Sequence, residues 1–377
     1  MDNAHGSAKP TPLGSDRSGF TRFIGNNSVN TARSYDLLTE DHPYRWYANG
    51  ERARFNPLLR GVVFGGILLV SMFILIFVGT IIAVIVAPNA FFNADGTSTN
   101  MTVVLGEALD TSSPLVQIVS IAEILGALIA YLVVVRVMEG RKPPLELSLK
   151  RAPGALLGIV TAFVCITVSV GIIALLGGYR ITGFNAGYQP WADLLTLGLA
   201  AGIAEEIMMR GILLRLFEEV LGSWGAVALS ALIFGFLHLG NKDGSLWGAI
   251  AIALEAGLLF GAIYLATRSL WWCMGFHFMW NVAEGPIFGS IVSGNGEQRS
   301  WFTANWSGSD WLTGGAFGLE ASVVPVILLT AVAVALLIHL QRQGRMIEPV
   351  WVRKRRLFAA AAAAAAAQQR QMNRQTA

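Results

Sequence analysis

The chain contains eight apolar stretches that are long enough, or nearly long enough, to cross a bilayer as helices. The hydrocarbon core, about 30 Å thick, offers the backbone no hydrogen-bonding partner. Only 14% of the 377 residues are charged, whereas soluble domains carry about 25%. We therefore predict an all-α polytopic membrane protein with eight transmembrane helices, at about 61–87, 115–138, 154–177, 191–214, 224–241, 246–267, 270–290 and 321–340.

The placement of lysine and arginine predicts the orientation of these spans. With eight spans, 23 of the basic residues fall in tails and loops on one side of the membrane and 3 on the other, while Arg210 lies within a span. Cytoplasmic loops carry the excess of positive charge in membrane proteins. We therefore expect a multi-pass protein of the cytoplasmic membrane with both termini in the cytoplasm.

Two polar tails flank the predicted membrane domain. Residues 1–57 are rich in polar residues and lack a signal peptide, so we predict a largely disordered cytoplasmic tail. Residues 58–340 form the membrane domain, and residues 341–377 form a basic and alanine-rich cytoplasmic tail that is either a short helix or disordered. Cys165 and Cys273 both lie in apolar runs, which favours buried thiols over a disulfide or a metal cluster.

Two adjacent acids, Glu205 and Glu206, interrupt an apolar run. A charge at the centre of a bilayer costs at least about 2.5–3.5 kcal/mol, so acids at this depth indicate a functional site. Arg210 follows Glu206 by four residues, in the order that favours an ion pair on one helix face. Glu205 points about 100° away around the helix, which leaves it unpaired and suited to activating a water molecule.

Histidines occur in two further patterns with a spacing of four residues, Phe234-x-x-x-His238 and His277-x-x-x-Asn281. Each pair shares one face of its helix, as a site between helices requires. An asparagine amide and a histidine ring can both donate hydrogen bonds to a developing oxyanion. Together with a carboxylate base, this set of residues is typical of peptide-bond hydrolysis by an activated water.

The depths of these residues in the membrane are compatible. If Gly222 is the turn of a helical hairpin, Glu205 lies 17 residues before it and His238 lies 16 residues after it. At 1.5 Å per residue both lie about 25 Å from the turn. We therefore predict a single site in a membrane cavity among spans four, five and seven.

Taken in order, Glu-Glu-x-x-x-Arg, Phe-x-x-x-His and His-x-x-x-Asn resemble the motifs of the CPBP (Abi) family. These are CAAX-protease and bacteriocin-processing intramembrane proteases. The resemblance covers about residues 115–340 and includes the segment Arg-Lys-Pro-Pro-Leu-Glu-Leu at 141–147. It implies Glu205 as the main base with assistance from His238. The predicted catalytic residues are Glu205, Glu206, His238, His277 and Asn281, the last two on the oxyanion side, with structural support from Arg210 and Phe234.

The resemblance leaves the use of a metal open. Glu205, His238 and His277 could together ligate Zn²⁺, since three nitrogen or oxygen ligands plus water make a catalytic zinc shell. A glutamate mechanism without a metal fits the same residues, and we favour it. The chain contains no His-Glu-x-x-His and no Gly-x-Ser-x-Gly, which argues against a zincin helix and a serine nucleophile elbow.

The sequence thus predicts an intramembrane endopeptidase that hydrolyses a membrane-associated peptide or protein. We expect membrane lipid and a hydrophobic peptide or membrane-protein substrate as partners, and no nucleic acid. The alternative is a non-catalytic membrane protein of the same fold that binds a peptide or lipid, or acts as an immunity or assembly factor. A transporter is less well supported, because no inverted repeat is evident.

Overall fold

A computed structural model describes residues 55–90, 92, 110–141, 144–297 and 299–376. The predicted tail at 1–57 and the loop at 93–109 therefore lie almost entirely outside the described residues.

The described chain is mostly helical, with one small antiparallel sheet. Several helices change to π-helical geometry part-way along, which is uncommon and often accompanies functional sites. The elements are α1 (Pro57–Val86), α2 (Pro114–Met138), α3 (Pro153–Leu175), β1 (Tyr179–Phe184), α4 (191–214), α5 (Arg215–Leu237), α6 (Leu246–Thr267), α7 (270–287), β2 (Phe302–Trp306), α8 (Val323–Arg342) and α9 (Val350–Gln375).

Six helices in the described chain are long and apolar enough to cross a membrane, so the protein is an integral membrane protein. The predicted count of eight spans is not confirmed. The predicted fourth and fifth spans form one helical segment, Trp191–Gly240, that counts once. The predicted seventh span, α7, is not among the six; it carries three tryptophans together with His277, Asn281 and Glu284.

Gly222 lies within α5 and divides the long helical segment Trp191–Gly240 into a part before the glycine and a part after it. Its backbone is non-helical, with φ 74° and ψ 175°, a conformation that favours glycine. The guanidinium of Arg210 lies over the ring of Phe234 at 4.7 Å from the ring centroid. Both residues lie twelve positions from Gly222 along the chain. Because residues equidistant from Gly222 are in contact, the part of α5 after Gly222 runs back along α4.

A network of buried ion pairs joins the helices at one end of the bundle. Arg60 of α1 and Arg215 of α5 both contact the carboxylate of Glu139, at 2.8 and 2.5 Å. Arg141 bridges Glu139 and Glu146, at 2.9 and 2.8 Å. Burial alone would raise the pKa of Glu139, but Arg215, Arg141 and Arg60 more than offset it, so the pKa lies well below its usual range. The network therefore keeps this carboxylate charged.

The segment after α8 binds to the turn at Gly222. The amide of Ser223 donates to the carbonyl of Ile347, whose own amide donates to the Ser223 hydroxyl, each at 2.9 Å. Arg345 donates to the carbonyl of Ala266 at 2.6 Å. Beyond this segment, the alanine run lies within α9, a helix of 26 residues. The segment between α8 and α9 is thus fixed to the same end of the bundle as the ionic network.

The opposite end carries the sheet. Strands β1 and β2 pair antiparallel, with Tyr179 opposite Trp306, and the two rings lie 4.6 Å apart. The loops at residues 289–297 and 314–322 lie at the same end as the sheet, where Nε1 of Trp306 donates to the carbonyl of Gly289 at 3.0 Å. In one of them the amide of Gly294 donates to the carbonyl of Phe317, at 2.7 Å. These loops close the bundle over the ends of α5, α6 and α7.

Helices α3 and α7 approach each other more closely than side chains would permit. A Cβ atom added at Gly158 would clash with the carbonyl oxygen of Trp272 and lie 2.7 Å from the backbone nitrogen of Phe276. On the other helix, Gly275 faces the backbone of Ala155 in the same way. Glycine at both positions therefore holds α7, which carries His277, tightly against α3.

We predict that Gly158→Ala lowers the free energy of unfolding by about 1–3 kcal/mol, the usual cost of overpacking. Thermal unfolding in detergent measures the effect. The matched control is Gly171→Ala on the same helix, where an added Cβ meets nothing within 4 Å. That control should be neutral or stabilising by up to about 1 kcal/mol. Equal stability of the two variants would contradict the close helix contact.

Candidate active site

The two adjacent acids of α4 occupy different environments. Glu206 is fully buried, whereas the side chain of Glu205 is 26% exposed. Both lie where two π-helical stretches, Leu194–Glu205 and Ile207–Leu214, meet. Neighbouring positions on a helix point in different directions, so the sequence places one acid in the protein interior and leaves the other partly open.

One carboxylate oxygen of Glu206 contacts two side chains, those of Arg210 and His277. Its Oε1 accepts from the Arg210 guanidinium at 2.8 Å, so the ion pair expected from the spacing is present. The same oxygen lies 3.0 Å from Nδ1 of His277 on α7. Glu206 thereby orients the His277 ring and leaves Nε2 of that ring for other contacts.

Arg210 is held between two aromatic rings. Its guanidinium carbon lies 4.7 Å from the centroid of Phe234 and 4.8 Å from that of Phe260. Its Nη2 donates to the carbonyl of Ala256 at 3.2 Å. Cation–π contacts of this kind are worth about 2 kcal/mol when desolvated. Arg210 thus connects α4 to α5 and α6, and the support predicted for Phe234 is a direct ring contact.

Glu205 is placed beside His277 rather than beside His238. Its Oε2 lies 3.9 Å from Nε2 of His277 and makes no hydrogen bond within the described chain. No ionic contact joins Glu205 to His238 among the described residues. A water molecule would be needed to bridge the predicted Glu205–His238 pair.

In both His238 and Asn281, one nitrogen of the side chain is hydrogen-bonded to a backbone carbonyl. Nδ1 of His238 lies 2.8 Å from the carbonyl of Phe234, so in the neutral ring Nδ1 donates and Nε2 is an acceptor. Nδ2 of Asn281 donates to the carbonyl of Leu197 at 2.9 Å. The amide nitrogen carries a second hydrogen for a further acceptor, while Oδ1 of Asn281 has no partner in the described chain.

His238, His277 and Asn281 line one small cavity, whose free space is about that of a single water molecule. Glu205 is not part of its wall. The wall comes from α5, α6, α7, α8 and two loops, so the predicted location among spans four, five and seven is not confirmed. The remaining lining residues are Phe234, Ile252, Glu255, Ala256, Leu259, Phe260, Phe276, Trp280, Ser293, Glu320 and Leu329.

The cavity includes polar residues that sequence reasoning did not assign to the site. Glu255 of α6 is one of them, although an acid within an apolar run is a signal of the same kind as Glu205. Ser293 and Glu320 reach the cavity from loops, where no helical spacing could have indicated them. Glu284, three residues after Asn281, accepts from the amide of Glu320 at 3.3 Å and does not line the cavity.

The proposed zinc ligands were tested against this arrangement. Among the described residues, no group of three or more histidine, cysteine, aspartate or glutamate side chains is arranged to hold a metal ion. Glu205, His238 and His277 therefore do not fit a metal as they are placed here.

Residues 187–283 match the family model described as type II CAAX prenyl endopeptidase Rce1-like. The resemblance to the CPBP family is thereby confirmed. All seven motif residues lie within the matched segment, which runs from just before α4 to the start of the π-helical turn of α7. No curated protein matches the chain.

We predict that Arg210→Met destabilises the protein by about 3–5 kcal/mol, because it leaves the buried Glu206 carboxylate without its cation. The yield of folded protein and its thermal unfolding in detergent measure this loss. The control is Arg356→Met, which removes an ion pair to Glu348 whose side chains are 72% and 38% exposed. That change should cost at most about 1 kcal/mol. Similar stability of the two variants would mean that Arg210 is not a structural partner of Glu206.

Proposed function

We propose that the protein is an intramembrane endopeptidase that hydrolyses a peptide bond in a membrane-associated peptide or protein. The observation that carries the proposal is the set of polar groups around His277, namely Glu205 at Nε2, Glu206 at Nδ1 and Asn281 one turn further along α7. A lipid-facing scaffold has no need of a partly open carboxylate beside an oriented imidazole.

In the proposed reaction the carboxylate of Glu205 takes a proton from water, and the water oxygen bonds to the carbonyl carbon. Nε2 of His238, an acceptor in the neutral ring, helps to hold that water. The electron pair of the carbonyl moves to its oxygen. Asn281 donates to this oxyanion through its second amide hydrogen, and His277 donates when its ring is protonated. Collapse of the intermediate then breaks the carbon–nitrogen bond, and the nitrogen keeps the bonding pair and takes up a proton, so that it leaves as an amine.

The acids around His277 suit it to the oxyanion role. Glu206 lies against Nδ1 and Glu205 lies 3.9 Å from Nε2. Two carboxylates at opposite ends of an imidazole stabilise a positive charge on the ring. A protonated His277 would carry a hydrogen on Nε2 and could donate it where negative charge develops in the transition state.

The substrate class follows from the site and from the family description. Aromatic and aliphatic side chains form most of the cavity wall, which favours an apolar segment as substrate, and the wall must open to admit more than a water molecule. The matched family is described as acting on CAAX prenyl proteins, which suggests a substrate held at the membrane by an apolar group. A short hydrophobic peptide or a membrane protein presents the same chemistry.

We further propose eight spans with both termini in the cytoplasm. Gly222 splits the segment Trp191–Gly240 into two antiparallel helices. Helix α7 packs between other helices of the bundle, where polar side chains can be buried in protein rather than in lipid. Counting α4, α5 and α7 separately raises the number of spans from six to the eight that separate 23 basic residues from 3.

We predict that Glu205→Gln abolishes hydrolysis, with a loss of at least about 100-fold, because the amide cannot accept the proton of water. Cleavage of a hydrophobic peptide by purified protein in detergent measures the loss. Glu297→Gln, at an exposed loop position, is the control and should retain activity. Full activity of a folded Glu205→Gln variant would contradict the proposal and favour a non-catalytic, peptide-binding or lipid-binding role.

The same assay separates the two forms of the mechanism. We expect treatment with a chelator to leave cleavage unchanged, because the described residues do not form a metal-binding group. Activity that is lost with a chelator and restored by Zn²⁺ would show that the side chains rearrange to hold a metal.

The topology predicts the accessibility of single cysteines placed in a variant in which Cys165 and Cys273 are replaced. A cysteine at position 305, in β2, should react with a membrane-impermeant maleimide added to intact cells. A cysteine at position 375, at the end of α9, should react only after the membrane is permeabilised. Labelling of both positions from outside would overturn the proposed orientation.

A further inference from the structure

Glu255 is a buried acid that the reaction described above does not use. It lies in the π-helical segment Ala253–Gly257 of α6 and is 1% exposed. It lines the same small cavity as His277 and Asn281. Neither of its carboxyl oxygens has a hydrogen-bond partner in the described chain. A buried acid with no partner, aimed into the candidate active site, calls for a chemical role.

The surroundings of Glu255 favour its neutral, protonated form. An ionised carboxylate buried without a partner is so costly that the group neutralises instead. Arg210, which donates to the carbonyl of the adjacent Ala256, is already paired with Glu206. Two further acids, Glu320 and Glu284, lie close enough to Glu255 to interact with its charge, and both disfavour a negative charge there.

None of the other described side chains in the cavity wall forms an ion pair or a hydrogen bond with the carboxyl group of Glu255. His238 and His277 are in its wall, and each is anchored through Nδ1 to another partner. Glu320 accepts from the Ser293 hydroxyl at 2.6 Å. Burial raises the pKa of Glu320 above its ordinary value. The wall formed by Glu255, Ser293 and Glu320 thus contains two buried carboxyl groups, and burial favours the protonated form of each.

We propose that Glu255 is the catalytic acid that protonates the leaving amine. This inference rests on the proposed peptidase function. Peptide hydrolysis needs such a donor, because an amide anion is too basic to leave. As the carbon–nitrogen bond breaks, the nitrogen keeps the bonding pair and takes the proton of Glu255. At the end of the cycle Glu205 releases to solvent the proton that it took from water, and the Glu255 carboxylate takes up a proton from solvent, so the net reaction consumes one water and no further reactant.

Glu255 is better placed for this role than the neighbouring acids. Glu284 is equally buried but does not line the cavity, and its Oε1 accepts from the Glu320 amide. Glu320 lines the cavity but is bound by Ser293. Only Glu255, among the described acids of the cavity wall, has both oxygens without a partner.

The test compares substrates whose leaving groups differ in their need for a proton. The probes are a prenylated CAAX peptide and its analogue in which the scissile amide is replaced by a thioester. A thiolate departs without protonation, whereas an amine does not. Glu255→Gln should therefore lose at least about 100-fold in kcat on the amide and change less than about fivefold on the thioester. Glu205→Gln should be impaired on both substrates, because both need an activated water.

Two further variants keep the result interpretable. Glu284→Gln neutralises an equally buried acid outside the cavity wall, and it should leave the amide-to-thioester ratio as in the parent protein. Glu255→Asp retains an acid, so it should recover part of the amide cleavage. If Glu255→Gln does not fold, the ratio for Glu255→Asp decides the question in its place.

The possible outcomes separate this inference from the proposed function. Parent protein that cleaves neither probe would overturn the proposed function and this inference with it. Parent cleavage that depends on Glu205, together with equal effects of Glu255→Gln on amide and thioester, would overturn only the role of Glu255. A selective loss on the amide that Glu255→Asp partly restores would establish it.

Discussion

One carboxylate oxygen, Oε1 of Glu206, contacts both Arg210 on its own helix and His277 on α7. In the interior of a membrane protein this oxygen has no bulk water to stabilise its charge, so the charge can be kept only where a cation is fixed nearby. Arg210 is that cation, and the rings of Phe234 and Phe260 hold it in place from α5 and α6. The relative positions of four helices, and the orientation of the proposed catalytic imidazole, therefore depend on one buried ionic contact.

The buried acids differ in their partners: some are paired with arginines, and others have carboxyl oxygens without a hydrogen-bond partner in the described chain. At one end of the bundle, Glu139 is surrounded by three arginines, and its charge joins α1, α2 and α5. In and beside the cavity, Glu255 and Glu284 have carboxyl oxygens without partners. Paired acids stabilise helix contacts, whereas an unpaired buried acid costs free energy and is kept only where it has a use. This contrast separates the structural end of the molecule from the part where we propose that chemistry takes place.

Sequence reasoning succeeded where a relationship lies within one helix. The Glu206–Arg210 pair follows from a spacing of four residues, and it is present. The break at Gly222 follows from the need for a turn, and the contact of Arg210 with Phe234 supports it. Reasoning from the sequence expected Glu205 to act with His238, but in the structure Glu205 lies beside His277. Which of two histidines at similar depth meets an acid depends on how the helices rotate against each other, and periodicity carries no information on that rotation.

The sequence by itself determined that this is a helical membrane protein whose motifs resemble those of the CPBP family. Apolar length and the cost of intramembrane charge are properties of single segments, so they can be read from the chain alone. Only the tertiary structure decided that Glu206 orients His277, that Phe260 supports Arg210 and that Glu255, Ser293 and Glu320 share the cavity. These contacts join residues on different helices and loops. These contacts depend on how the helices and loops pack, as in the close approach of α3 and α7 at Gly158 and in the positions of the closing loops. Packing of this kind leaves no regular pattern in the sequence.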